Sequence, residues 1–173
     1  MKNVKFTTTV LSMLMLGAAA FTSCKKDKDP MTKSMDYAFN TGQVGAGTAY
    51  SGSHPSTFSA KVMLTEEDGD KTKVTVTLYN TLSGQDYNLH VHDKADAATT
   101  PNGTPYNETP NAAILAMTIA GNGGTATKDF SATVSYSYIT STYAGGFFVV
   151  HDPTQTLSTT NLTTYLVVGA FPN

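Results

Sequence analysis

An all-β sandwich of about eight antiparallel strands is the fold this sequence predicts, and three observations carry it. Apolar and polar side chains alternate at period two through most of residues 58–171. No helical period lasts more than a few residues in that stretch. The 173 residues also include 29 Thr beside many Val, Ser and Tyr, a composition of strands and turns.

Each element has its own signal. An opening strand is expected near Met35–Gln43. Phe58, Ala60, Val62 and Leu64 point one way, Asp68-Gly69-Asp70 supplies a turn, and Val74, Val76 and Leu78 alternate with Thr75 and Thr77, which makes a hairpin. Tyr87–His92 is the next strand. Residues 93–111, rich in Asp, Thr, Pro, Asn and Gly, form a long loop, and long loops in compact domains usually have a function. Strands follow at Ile114–Ile119 and Phe130–Tyr138, separated by the Gly121–Gly124 turn. Tyr136, Tyr138 and Tyr143 then read as an aromatic stripe that packs on the sheet. Phe147–Val150 ends on His151, residues 152–163 form a second polar loop, and Tyr165–Phe171 closes the chain.

Charge and composition exclude several functions. All eleven basic residues are Lys, and the formal net charge is -2. A weakly acidic chain without Arg is a poor nucleic-acid binder and has no catalytic Arg. One Cys permits no intramolecular disulfide. No nucleophile–His–Asp arrangement, phosphate loop or dinucleotide motif is present.

Lys2 and Lys5 precede an apolar run, Val10–Phe21, that leads into Phe21-Thr22-Ser23-Cys24. The run is short of the roughly 20 residues a spanning helix needs. This segment resembles the bacterial lipoprotein signal, in which a Cys becomes lipidated and N-terminal. The resemblance implies a signal peptide at residues 1–23, a lipidated tether at 24–34 with Cys24 as the modified residue, and a folded domain at 35–173. Such a protein meets a membrane through its anchor only, in a bacterial cell envelope. Lys25 in the second mature position is similar to the pattern of outer-membrane lipoproteins.

Four His are present, and three form a pattern. His90 and His92, two apart on a strand, project from one face and can chelate one ion. His151 ends another strand. Imidazole suits copper and zinc. His54, in a Ser-Gly-Ser-His-Pro turn, reads as an exposed loop residue. Asp93, Asp96 and Asp152 follow the other His positions and either orient imidazoles or stabilise turns. Lys94 and Lys128 do not make a steering field.

The order of these motifs resembles the Cu/Zn superoxide dismutase family. Residues 58–93 are similar to that family's first hairpin, its Leu-x-x-Gly turn (Leu82 here, with the Gly one place early at Gly84) and its strand ending in His-x-His. Gly145–Asp152 is similar to the strand that carries its last copper ligand, and Leu166–Gly169 to its closing strand. The resemblance implies an eight-stranded Greek-key sandwich, packed as in immunoglobulin-type domains. It implies His90, His92 and His151 as copper ligands, and superoxide or a copper donor or acceptor as partner. Departures are as informative. Tyr106 stands where the family's copper–zinc bridging His is expected, so a zinc site in the family's manner is not expected. The family's disulfide is absent. Its active-site Arg falls near Tyr165, and Gln155 lies near the Asp that links its two metal sites. The expectation is a zinc-free, three-His copper site, with superoxide dismutation or copper storage and delivery as its use. The alternative is a non-catalytic sandwich that binds a partner through loops 93–111 and 152–163. A related alternative is the chordin-type domain, whose typical ending is not present.

Overall fold

The computed structural model describes residues 28–40, 49–109, 111–142 and 145–172. The signal peptide, Cys24, the start of the tether, the end of the expected opening strand and Tyr143 lie outside the described residues.

Eight antiparallel strands form two four-stranded sheets. They are β1 (Thr32–Tyr37), β2 (Ser59–Glu67), β3 (Lys71–Tyr79), β4 (Asp86–His92), β5 (Leu115–Ala120), β6 (Ala126–Ala132), β7 (Phe147–His151) and β8 (Tyr165–Ala170). The first sheet has the order β1-β2-β3-β6 and the second β5-β4-β7-β8. The chain leaves β3 for the other sheet, pairs β4 with β5, and crosses back to lay β6 beside β3. That return is the Greek-key connection.

The alternation read from the sequence is what faces the sheets toward each other. Ala60, Val62 and Leu64 of β2, Val74, Val76 and Leu78 of β3, and Tyr87, Leu89 and Val91 of β4 are all buried in one core. Gly69 and Asp70 take positive φ at the β2–β3 turn (75° and 56°), where glycine costs nothing and Asp is tolerated. Tyr37 ties the sheets together. Its hydroxyl donates to the Ala170 carbonyl at 2.8 Å, and its ring lies 5.0 Å from that of Phe148. A Cβ on Gly169 would meet that ring at 2.9 Å, so β8 needs glycine there.

Burial pushes the Tyr37 hydroxyl far above the ordinary tyrosine range, and burial also raises Tyr87. Unfolded tyrosines ionise near pH 10, while these stay protonated in the fold. Their contribution is therefore complete below about pH 10 and is lost as pH rises above it. Urea midpoints are expected to fall between about pH 9 and pH 11, and less so in Tyr37→Phe. Equal loss in both proteins would refute this.

The expected strand Phe130–Tyr138 is corrected. β6 starts earlier and stops at Ala132, and Tyr136–Thr142 is a short helix, α1. Ser135 begins it, its hydroxyl accepting from the Tyr138 N–H at 3.2 Å. Tyr136 and Ile139 bury the inner helix face, while Tyr138 is exposed, so the tyrosines do not form one stripe. The first half of β6 carries no alternation to read because it lies on a polar edge strand, with Thr127, Lys128 and Asp129 all exposed. No helix among the described residues is long and apolar enough to cross a membrane.

Candidate metal centre

The second sheet is covered on both faces. Leu89 and Val91 of β4 face the main core, so His90 and His92 face outward. On β7, Phe148 and Val150 face the core, while Phe147, Val149 and His151 share the outer face. Register sets His90 opposite Val149 and His92 opposite Phe147. The outer face is roofed by the two long loops and carries a second apolar cluster, Phe147, Val149, Leu162, Tyr165 and Val168, with Tyr106 packed on it.

A β-bulge completes this face. Val150 pairs with Val167, but His151 pairs with Tyr165, leaving Leu166 as an extra residue on β8. Consecutive Leu166 and Val167 can then both join the main core. Tyr165 is turned outward beside His151, their rings 4.9 Å apart.

The three expected histidines do come together. The His90 ring lies 5.6 Å from that of His92 and 5.0 Å from that of His151. His90 Nδ1 and His151 Nε2 are 3.3 Å apart. At their centre sits Glu108, whose side chain is only 1% exposed. Its Oε2 meets His90 Nδ1 and lies 3.1 Å from His92 Nε2. Its Oε1 lies 3.0 Å from His151 Nε2 and accepts the Tyr165 hydroxyl at 2.6 Å. Loop closure holds the carboxylate there. The Glu108 N–H donates to the Thr159 carbonyl at 3.1 Å, and Asn102 Nδ2 to the Thr160 carbonyl at 3.0 Å.

Burial by itself would raise the Glu108 carboxyl. The contacts with His151, His90 and His92 outweigh it and hold the group far below the usual carboxylate range. Tyr165 moves the other way. Burial, then the neighbouring Glu108 charge, keeps its hydroxyl protonated as a donor.

These residues fit a metal ion. His90, His92 and Glu108 offer ligand atoms all within 4.8 Å of one another. Ligands bound to one ion at about 2.0–2.1 Å stand roughly 3–4 Å apart, as the His90–His151 and His92–Glu108 separations do. The second nitrogen of His92 makes the stronger case. His92 Nδ1 lies 2.9 Å from the Asn111 carbonyl, an acceptor, which fixes the proton on Nδ1. The lone pair of Nε2 then faces a carboxylate oxygen, also an acceptor. Two acceptors in contact need a cation between them, a proton or a metal. Asn111 is itself held, its amide donating to the Asp93 and Lys94 carbonyls at 3.0 and 3.1 Å.

Other candidates fall elsewhere. Tyr106 is not in the His cluster. It packs edge-on against Phe147 with Lys94 5.9 Å over its ring, and it is Glu108, two residues on, that contacts the three His. His54 is not exposed but 5% accessible, its Nε2 2.8 Å from the Tyr87 hydroxyl on the core side of β4. It therefore cannot join the cluster. Among the described residues, imidazole orientation is not done by the Asp side chains. Asp96 accepts from the Ala98 N–H, and Asp152 from Tyr50, Thr154 and Gln155. Lys128 reaches the Thr118 carbonyl at the free edge of β5.

The fold and the cluster together define the class: an all-β sandwich with a His–Glu group, able to hold a metal, on the outer face of one sheet. No family model matches the chain, and no curated protein matches it.

Proposed function

We propose that the protein binds copper through His90, His92 and His151, with Glu108 as a fourth ligand. On this reading it is an envelope lipoprotein anchored through Cys24 and similar to the Cu/Zn superoxide dismutases, with one copper site and no separate zinc site. The observation that carries it is the His92 ring, fixed by the Asn111 carbonyl so that Nε2 presents its lone pair to the centre of the cluster. Bound copper would supply one-electron chemistry. The chain itself orients the His92 ring through the Asn111 carbonyl, buries His92, His151 and Glu108, and leaves the His90 side chain 21% exposed as the accessible edge.

The test is a Cu(II) titration of the demetallated protein, read by EPR, with superoxide decay followed on the same sample. One tight equivalent with nitrogen hyperfine structure is expected, and it should be lost in His90→Ala and His151→Ala. Fast superoxide loss would make the protein a dismutase. Tight copper without turnover would make it a copper-holding or copper-delivery protein. Copper affinity unchanged by the His substitutions would sink the proposal and leave a binding module that acts through its loops.

A further inference from the structure

We infer that Glu108 makes this cluster selective for divalent ions, so that it holds Cu(II) or Zn(II) in preference to Cu(I). The inference rests on the metal reading of the same site and narrows it.

Three observations lead there. The first is charge. Glu108 is sealed among His90, His92, His151 and Tyr165, and none of these contacts is a Lys. Lys94, in the same loop, is engaged over the Tyr106 ring. A buried anion without a fixed countercharge attracts a doubly charged ion more strongly than a singly charged one, and little solvent is present to screen the difference. The second is donor type. Carboxylate oxygen is a hard donor, and the sulfur donors that select Cu(I) are missing from the cluster's contacts among the described residues. The third is immobility. Cu(I) is content with two or three ligands, and a mobile fourth ligand would simply leave. Glu108 is held at both ends, its backbone N–H on Thr159 and its Oε1 by the Tyr165 hydroxyl. Tyr165 is thus a positioning residue, placed by the β8 bulge, that keeps the carboxylate in the cluster whatever the charge of the ion.

The experiment compares affinities for Cu(II), Zn(II) and Cu(I) in the wild type and in Glu108→Gln, each by competition with a chromogenic chelator. Glu108→Gln is expected to weaken Cu(II) and Zn(II) by about tenfold or more while leaving Cu(I) within a few fold. A tenfold differential loss raises the copper reduction potential by about 59 mV, which redox titration of the EPR signal reads independently. Should Glu108→Gln fail to fold by circular dichroism, Tyr165→Phe removes only a hydroxyl and carries the same comparison. Its Cu(II) affinity should fall severalfold and its Cu(I) affinity should not. Equal losses for both oxidation states, or none, would overturn the inference while leaving the copper site intact. A wild type that binds none of the three ions would overturn both.

Discussion

Saturating Cu(II) is expected to raise the thermal midpoint of the demetallated protein by about 5–10 °C. A ligand at a hundred times its Kd adds about 2.7 kcal/mol to the folded state, and a domain of this size gains about 2–4 °C per kcal/mol. The gain requires a site that exists only when folded. This cluster meets that condition, because its ligands come from β4, β7 and the loop between β4 and β5, which only the fold assembles. His151 is the most informative position for a control. It lies 61 residues from His90 in sequence, yet their ring nitrogens are 3.3 Å apart. His151→Ala should abolish the upward shift, and a chelator should reverse it in the wild type. Calorimetry with and without metal measures both. Stoichiometric binding without a shift would mean that the unfolded chain binds equally well, and the built site would be refuted.

Phe148→Ala and Phe147→Ala are each expected to cost about 3–5 kcal/mol, a large share of the roughly 5–15 kcal/mol that holds a typical domain folded. Both rings are fully buried on the central strand β7. They differ in what they support. Phe148 faces the main core and packs on Tyr37 at 5.0 Å. Phe147 faces the metal side, stacked 5.8 Å from His92 with an interplanar angle of 23°, and edge-on to Tyr106. Truncating it removes the surface on which His92 rests. Urea midpoints should therefore fall similarly in the two variants. Copper affinity, measured where both are folded, should fall about tenfold or more in Phe147→Ala only, as loss of ligand support does elsewhere. A matching loss in Phe148→Ala would show that the sandwich and the cluster are not separable.

The strands with clean alternation, β2 to β5, were legible in the sequence because period two is a local property of consecutive residues. The bounds of β6 were not, since an edge strand needs no apolar face of its own. Nor was α1, whose start depends on one serine hydroxyl. The His-x-His spacing and the apolar run before His151 were enough to bring three imidazoles to one face. Glu108 was out of reach. It sits in a loop of Asn, Thr and Pro whose path is set by bonds to a second loop some fifty residues away, such as Glu108 N–H to Thr159. The one signal for it was chemical. It is the only Glu after residue 67, in a stretch otherwise free of carboxylates from Asp96 to Asp129. The bulge in β8 was hidden for a different reason. An unbroken run such as Tyr165–Val168 has no alternation from which a change of face can be read. His54 misled because a turn-forming sequence describes the backbone alone. The aromatic rings of Phe58 and Tyr87 beneath it decide where its side chain goes.

The way the described chain enters the sandwich has a practical consequence. The Glu66 N–H donates to the Met31 carbonyl and the Met31 N–H to the Glu66 carboxylate beside the β2–β3 turn, and β1 then runs along the edge of the first sheet. The His–Glu cluster lies on the other sheet, on the face turned away from the first. Anything joined upstream of Lys28, whether an affinity handle, an electrode linker or a solid support, is therefore attached to the sheet without the cluster. Immobilisation through that end should leave the accessible His90 edge of the cluster facing solution, whereas coupling through the lysine at position 94 would crowd the loop that covers it.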